Sequence, residues 1–247
     1  MNGSELLKAV IGYARTGFRD GCGHLHLQET VNFCSLFSDL SSPHLRVACA
    51  GIASLQGVIF PEERLDIQNA HPKRRREFIA GRRMARQLSQ SLGFPDYSLR
   101  RSAQRAPLWR HGATGSISHS ATICAAAVAR KAAIPALGID IEALGRVRPE
   151  LWGSIFTESE QEFLYALSTI EACLAATVMF SAKESFYKLQ YSMTGNWVGF
   201  HDVEVKLIDE SRCRIAPVSS QADVWHQPDI HVERVGSDHV ATLMHMK

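Results

Sequence analysis

The chain has 247 residues, of which 45% are hydrophobic and 21% charged, and its formal net charge at pH 7 is +2. These ordinary globular values argue against a disordered or fibrous chain. Because the net charge is close to zero, any affinity for phosphate or nucleic acid must come from local clusters of basic residues.

The six cysteines are scattered, with no C-x-x-C pair and no spacing typical of a zinc site, which favours reduced thiols in a cytosol. Near the N-terminus, Lys8 and Arg15 interrupt the apolar residues, and no small-residue cleavage site follows. No apolar run is long enough to cross a bilayer. The sequence therefore predicts a cytoplasmic protein with no transmembrane segment.

The first half of the chain contains a strand-like segment and a basic helix. Residues 46–59 are rich in Val, Ile and Ala, which predicts one or two strands joined by a turn near Gly57. Residues 72–92 keep apolar side chains at helical spacing before the stop at Gly93, so they predict a helix that carries a run of arginines. A solvated cationic face explains such a run as readily as a bound anion does.

Two further strands are predicted between residues 115 and 129. The first alternates small polar and apolar side chains around Ser118 and His119, and the second is almost uniformly apolar. Taken alone, His119 is explained by a hydrogen bond in a loop or core as simply as by a ligand.

The strand predicted at residues 137–142 places two acids side by side. Its period of two directs Ile139 and Ile141 towards a core, and Asp140 and Glu142 towards the opposite face. Taken alone, this pattern is more typical of an antiparallel strand with a solvated face than of a metal site.

A long helix is predicted from residue 171 to residue 191, and the capping box at Thr157–Glu160 predicts a shorter helix before it. In the long helix, Phe180, Glu184 and Lys188 share one face because residues four apart stack along a helix. A common Glu–Lys pair on a solvated face is the simplest account of Glu184 and Lys188 taken alone.

The order of elements predicts an α+β fold with two halves of similar build. The segments that alternate like antiparallel strands after the long helix are residues 200–208, 229–235 and 239–244. The order strands, helix, strands therefore occurs twice, although no sequence repeat accompanies it. We expect an N-terminal subdomain of residues 1–142 and a C-terminal subdomain of residues 143–247.

Three carboxylates in these halves suggest a cation site. Asp140, Glu142 and Glu184 would repel one another if they met unpaired, and a bound cation would relieve that repulsion. Magnesium suits such a set because it takes carboxylate oxygens and completes its shell with water and substrate phosphate. Lys188 lies one helical turn from Glu184, so the same phosphate could meet an ammonium group.

Four motifs occur in a fixed order between residues 105 and 188. They are R-x-P-x-W at residues 105–109, G-S-I-S-H-S at 115–120, G-I-D-I-E at 138–142 and F-S-A-K-E-S-x-Y-K at 180–188. Together they resemble the 4'-phosphopantetheinyl transferase superfamily, and within it the large monomeric type that includes the surfactin-type enzymes and enterobactin synthetase component D. The resemblance covers roughly residues 72 to 205.

This resemblance implies a fold of two similar α/β subdomains related by pseudo-two-fold symmetry, with the active site at their interface. It also implies that the protein moves the phosphopantetheine arm of coenzyme A to a serine of an acyl, aryl or peptidyl carrier protein, with Mg²⁺ as cofactor and release of 3',5'-ADP. A monomer in siderophore, nonribosomal peptide, polyketide or fatty acid biosynthesis is expected.

The resemblance assigns the site residues as well. It implies that Mg²⁺ is held by Asp140, Glu142 and Glu184, while Lys188 contacts the pyrophosphate and Lys183 lies nearby. The residues expected to bind coenzyme A at its 3'-phosphate and nucleotide are Arg75, Arg76, Arg82, Arg105, Pro107, Ser118 and His119. Glu184 is the expected base for the carrier serine, directly or through a water.

A different class of function is also compatible with the residues. The basic helix could dock an acidic partner or nucleic acid without any catalysis, and its affinity would then depend strongly on salt. The nearly neutral net charge, the lack of nearby aromatic residues to stack bases and the acids between the basic segments all argue against nucleic acid.

Overall fold

The computed structural model describes residues 33–218 and 229–246, and the chain separates into two compact units between Ile139 and Asp140. The first unit contains the described residues up to Ile139 together with Met246, and the second contains those from Asp140 to His245. The N-terminal segment with Lys8 and Arg15, on which the cytoplasmic prediction partly depended, lies outside the described residues.

The first unit is an antiparallel sheet with one long helix. Its elements are β1 (Cys34–Ser35), β2 (Leu45–Gly51), α1 (Pro61–Leu65), α2 (Pro72–Ser91), β3 (Ala113–His119) and β4 (Ile123–Arg130). The strand order is β1-β2-β4-β3, so β4 lies inside the sheet and its residues from Cys124 to Ala129 are completely buried. Small side chains along β4 leave room for α2 to pack against the sheet.

Helix α2 lies so close to the sheet that a side chain larger than hydrogen does not fit at Gly81. A Cβ atom there would come within 2.8 Å of Ile117 on β3. Met84, Ala85 and Leu88 continue the buried face of α2. The helix predicted for residues 72–92 is confirmed, and one side of it is part of the core.

The second unit repeats this plan with a larger sheet. It begins within β5 (Leu137–Ala143), at Asp140. Its further elements are α3 (Trp152–Ile155), α4 (Glu158–Tyr165), α5 (Thr169–Thr194), β6 (Val203–Asp209), β7 (Arg212–Pro217), β8 (Asp229–Val235) and β9 (His239–His245). The strand order is β5-β9-β8-β7-β6, and α5 packs on the sheet along β9. The predicted α+β class, with a sheet and a long helix in each half, is confirmed.

Two local predictions can be compared directly with the structure, and one strand was not predicted. The capping box is confirmed, because Thr157 accepts from the amide of Glu160 and the Glu160 carboxylate accepts from the amide of Thr157. Only the first part of residues 46–59 is a strand, and a short 3-10 helix follows β2 at Ile52–Leu55. Strand β7 was not predicted, because its alternation spans only six residues, two of them arginines, and ends in a proline.

In the parts of the chain that the structure describes, no helix is both long and apolar enough to span a membrane.

Candidate active site

Strand β5 holds two acids on one face and two core residues on the other. Ile139 and Ile141 are completely buried, while Asp140 is 2% exposed and Glu142 8% exposed. The solvated-face interpretation of this strand is therefore wrong. Two buried carboxylates at neighbouring positions on one strand face are costly unless a cation compensates their charge.

Glu184 on α5 belongs to the same electrostatic cluster. Burial, Asp140 and Glu184 together raise the pKa of Glu142 to about 7, against the opposing effects of Arg146 and Lys188. Burial also raises the pKa of Glu184, with Lys188 opposing and Asp140 adding to the effect. The three acids predicted as a group therefore act on one another, and we call Asp140, Glu142 and Glu184 the acidic cluster.

Lys188 supplies the cation closest to this cluster. Its Nζ atom donates a hydrogen bond of 2.6 Å to Oδ1 of Asp140, and its side chain is 27% exposed. Arg146 lies farther out, with 3.4 Å between its guanidinium and the Glu142 carboxylate and a side chain that is 62% exposed. Lys188 therefore pairs with the strand acid rather than with Glu184 one turn away.

The acidic cluster has donors suited to magnesium but is not a closed ligand set. Across residues 33–218 and 229–246, no three His, Cys, Asp or Glu side chains are arranged as ready metal ligands. Magnesium is often held by only one or two carboxylates, with water and substrate phosphate in its other positions. The chemistry of the donors therefore fits magnesium, while the three-ligand assignment stays a prediction.

Lys183, expected near coenzyme A, has a different place in the structure. Its side chain is completely buried, and its Nζ atom donates to Glu160 at 2.7 Å. Its other acceptors are the carbonyls of Ile155, Phe200 and Val203, at 3.1, 2.7 and 3.0 Å. Four acceptors exceed the three protons of an ammonium group. The assignment of Lys183 to coenzyme A is therefore corrected, and its role is to join α5 to its own unit.

In the first unit, Arg82 is a buried cation. Only 5% of the residue is exposed, and its guanidinium lies over the ring of Phe78, 4.2 Å from the centroid. Within the described chain, its Nε atom is buried without a hydrogen-bond acceptor. Burial lowers the pKa of Arg82 to about 10, with Arg74 and Arg101 adding to the effect and Glu63 and Asp66 opposing it. Arg82 remains charged at neutral pH and is suited to an anion.

Arg74 and His119 lie close to each other in the same unit. The Nη1 atom of Arg74 is 2.7 Å from Nε2 of His119 on β3, and both groups approach the carboxylate of Glu77. Arg74 is also near enough to Arg82 to depress its pKa. We call Arg74, Arg82 and His119 the basic cluster.

Arg75 and Arg76 are not in the basic cluster. The guanidinium of Arg75 donates to the carbonyls of Gln68 and Ala70, in the loop before α2, and Arg76 is exposed. Arg74 was one of the arginines left open as candidates, beside Arg75, Arg76, Arg82 and Arg83, but it was not among the residues assigned to coenzyme A. Its spacing carried a usable signal, because Arg74, Phe78 and Arg82 are four residues apart and form one ridge of the helix.

The loop that carries R-x-P-x-W leads into the sheet. Arg105 is exposed in a left-handed conformation with φ 69°, and Pro107 forms an isolated bridge with Arg101. The ring of Trp109 packs onto Gly115, where a Cβ atom would meet it at 2.5 Å.

On β3, Ser118 is buried and pairs with Ala125 of β4, next to His119. The roles of Arg105, Pro107 and Ser118 in binding coenzyme A stay predictions.

Comparison with known protein families finds two adjoining matches. Residues 61–129 match the 4'-phosphopantetheinyl transferase N-terminal domain, and residues 136–243 match the 4'-phosphopantetheinyl transferase superfamily. The first match contains the basic cluster, and the second contains the acidic cluster.

Three curated relatives are each similar over more than half of this chain. The 4'-phosphopantetheinyl transferase Npt of Nocardia iowensis is 32% identical over 63% of this chain and 72% of the relative. PptT of Mycobacterium tuberculosis is 30% identical over 75% of this chain and 79% of the relative. Enterobactin synthase component D of Escherichia coli K12 is 36% identical over 56% of this chain and 65% of the relative.

Proposed function

The chain belongs to the 4'-phosphopantetheinyl transferase superfamily and is a transferase, and from this membership we propose the reaction that it catalyses. It moves the 4'-phosphopantetheine arm of coenzyme A to a serine hydroxyl of an acyl, aryl or peptidyl carrier protein, and 3',5'-ADP leaves. The observation that carries this proposal is the acidic cluster with Lys188 beside it, in the half of the chain that matches the superfamily.

The transfer is a displacement at phosphorus. The serine oxygen forms a bond to the β-phosphorus of coenzyme A, the bond from that phosphorus to the bridging oxygen breaks, and the bridging oxygen leaves with 3',5'-ADP. Most of the catalysis in such reactions comes from positioning and from neutralising charge on phosphate oxygens. The ammonium of Lys188 is the protein group suited to the pyrophosphate oxygens.

Glu184 is the residue that accepts the serine proton. Burial raises the pKa of Glu184 above its usual range, which makes its carboxylate a stronger base near neutral pH. The Lys188 ammonium opposes this rise. Removing the carboxylate with Glu184→Gln should lower kcat by about 100- to 10,000-fold, the usual range for general base catalysis.

Magnesium would be held by Asp140, Glu142 or Glu184, and when bound it would neutralise negative charge on the pyrophosphate. The donors are all carboxylate oxygens, which magnesium prefers to nitrogen or sulfur ligands. The basic cluster in the other half of the chain is suited to the 3'-phosphate of coenzyme A, because Arg82 is a buried guanidinium with a free Nε donor within the described residues.

The test is a transfer assay. Purified protein, coenzyme A and Mg²⁺ are incubated with a panel of apo acyl, aryl and peptidyl carriers, and the mass gain of one phosphopantetheine is measured on each carrier. Aryl and peptidyl carriers of siderophore synthesis belong in the panel, since one group of relatives is named for enterobactin synthesis. If all carriers remain unmodified by the wild type, the proposed function is wrong.

A further inference from the structure

One lysine ammonium lies where a divalent cation would be attracted. We propose that Lys188 is an internal substitute for the metal at Asp140, and that a divalent cation displaces it from Asp140 and frees it for the pyrophosphate. This inference rests on the proposed function of the acidic cluster. It gives Lys188 two alternative positions, one on the strand acid and one on the substrate.

The first support is the geometry of the pair. Asp140 is 2% exposed, and 2.6 Å separate its Oδ1 atom from Nζ of Lys188, so this is a short bond between opposite charges. Magnesium binds carboxylate oxygens at about 2.0–2.1 Å, so the two cations would compete for the same carboxylate. If the metal took the other oxygen of Asp140, it would still lie within a few ångströms of the ammonium and repel it.

The second support is the charge of the surroundings. The ammonium of Lys188 lowers the pKa of both Glu142 and Glu184, so it acts on all three members of the acidic cluster. Within the described residues, the cations that act on these three carboxylates are Lys188 and Arg146, and Arg146 is mostly exposed to solvent. A divalent cation matches this cluster better than one ammonium, which provides the driving force for the exchange.

The third support is that Lys188 can leave Asp140. Its side chain is 27% exposed, and a lysine stem is long and flexible, so the ammonium can reach solvent or a ligand. Lys183 cannot make such a movement, because it is completely buried and bonded to four acceptors.

Two consequences follow from linkage. Lys188 must weaken metal binding to the free protein by the same factor by which metal weakens the Lys188–Asp140 pair. Coenzyme A, whose pyrophosphate offers Lys188 a second partner, must then strengthen metal binding. The first effect should disappear when the Lys188 charge is removed. The second should become smaller, because the pyrophosphate still attracts the metal directly but no longer draws Lys188 away from Asp140.

The experiment measures Mn²⁺ affinity by electron paramagnetic resonance at pH 8, first without and then with coenzyme A. Compared with the wild type, Lys188→Met should bind Mn²⁺ about 5- to 150-fold more tightly without coenzyme A, the usual range for coupled sites. In the variant, coenzyme A should strengthen Mn²⁺ binding less than in the wild type. Lys188→Gln is a second variant in case the apolar side chain disturbs folding, which circular dichroism monitors.

Two control variants separate local from general charge effects. Lys206→Met removes a lysine that is exposed on β6 and acts on Glu204, and it should leave Mn²⁺ affinity unchanged. Arg146→Met removes the exposed cation beside Glu142 and should produce a smaller gain than Lys188→Met.

The outcomes are distinguishable from those of the transfer assay. Equal or weaker Mn²⁺ binding by both Lys188 variants overturns the inference, even if the wild type modifies a carrier. Tighter binding by the variants supports the exchange at Asp140, even if no carrier is modified and the proposed function fails.

Discussion

Helix α5 carries two lysines five residues apart, and their surroundings differ in one decisive respect. Lys183 and its partner Glu160 are both nearly inaccessible, and four acceptors surround the ammonium. Lys188 also pairs with a buried acid, but its own side chain is partly exposed. A lysine enclosed on all sides supports the fold, whereas one with a path to solvent can exchange partners.

Helix α2 shows the same contrast between two arginines. Arg86 donates twice to the fully buried carboxylate of Glu63, at 2.8 and 2.7 Å, so its charge is compensated inside the unit. Arg82, one turn earlier, is just as buried, yet none of the ion pairs of the described residues includes it. A buried cation that forms no ion pair within the described residues is a better candidate for a ligand anion.

The largest expected effect is a difference in stability between variants of the two lysines. Lys183→Met leaves the Glu160 carboxylate buried without its cation, so the free energy of unfolding should fall by about 3–5 kcal/mol. Lys188→Met should cost less stability, because its surroundings are partly open to solvent. The measurement is urea unfolding of both variants beside the wild type, in buffer without divalent metal.

The loss of activity should follow the opposite order, with Lys188→Met affected more than Lys183→Met. Assayed below its unfolding temperature, Lys183→Met should keep kcat within a few-fold of wild type. Lys188→Met should lose about 100- to 1,000-fold in kcat, as expected when a group that stabilises developing charge is removed. A stable Lys183→Met protein with lost activity would contradict the structural role of that lysine.

The next largest effect is a difference in coenzyme A binding between variants of Arg82 and Arg86. Arg82→Gln should weaken coenzyme A binding by about 10- to 150-fold, because a hydrogen bond to a charged group contributes about 1.5–3 kcal/mol. Calorimetric titration with coenzyme A and with 3'-dephospho-coenzyme A measures how much the 3'-phosphate contributes.

Arg86→Gln is the matched control for this measurement. It should destabilise the fold while preserving the preference for coenzyme A over the dephospho form. If Arg82→Gln also kept the full preference, Arg82 would not bind the 3'-phosphate, and its burial would need another explanation.

Sequence patterns predict most of the helices and strands. They do not predict which charged side chains stabilise the fold and which belong to the candidate active site. Helical spacing was enough to place Glu184 and Lys188 together, and strand alternation was enough for Asp140 and Glu142. Helical spacing could not show that Lys183 is structural, because the hydrogen-bond acceptors of Lys183 come from segments up to 28 residues away in the chain. Only folding brings these segments around one ammonium group.

The arginine run illustrates a second limit. Four consecutive basic residues allow several alignments, and the choice of Arg75 and Arg76 depended on the run rather than on the helix face. The face that includes Arg82 also includes Arg74, which contacts His119 across the unit. Helical spacing restricts the choice, but the contact with β3 is what distinguishes Arg74 from its neighbours.

The smallest expected effect is on the pH dependence of stability, and it concerns two buried acids, Glu160 and Glu142. Glu160 is bonded to Lys183. Within the described residues, the ion pair of Glu142 is with the exposed Arg146 at 3.4 Å, and Glu142 lies among other acids. Burial and then Asp140 raise the pKa of Glu142 from 4.5 to about 7. Since the folded state holds this proton more tightly than the unfolded state, stability from Glu142 is complete below pH 4.5 and is lost as pH rises through 7.

Glu142→Gln cannot ionise and should escape this loss. In metal-free buffer, its stability relative to wild type should rise by on the order of 2 kcal/mol between pH 4.5 and pH 8, since each pKa unit corresponds to about 1.4 kcal/mol. Glu210→Gln, at an exposed turn, is the control and should show no such trend in urea unfolding. A stability difference that stays constant with pH would mean that Glu142 is compensated as well as Glu160, and the contrast between the two acids would be lost.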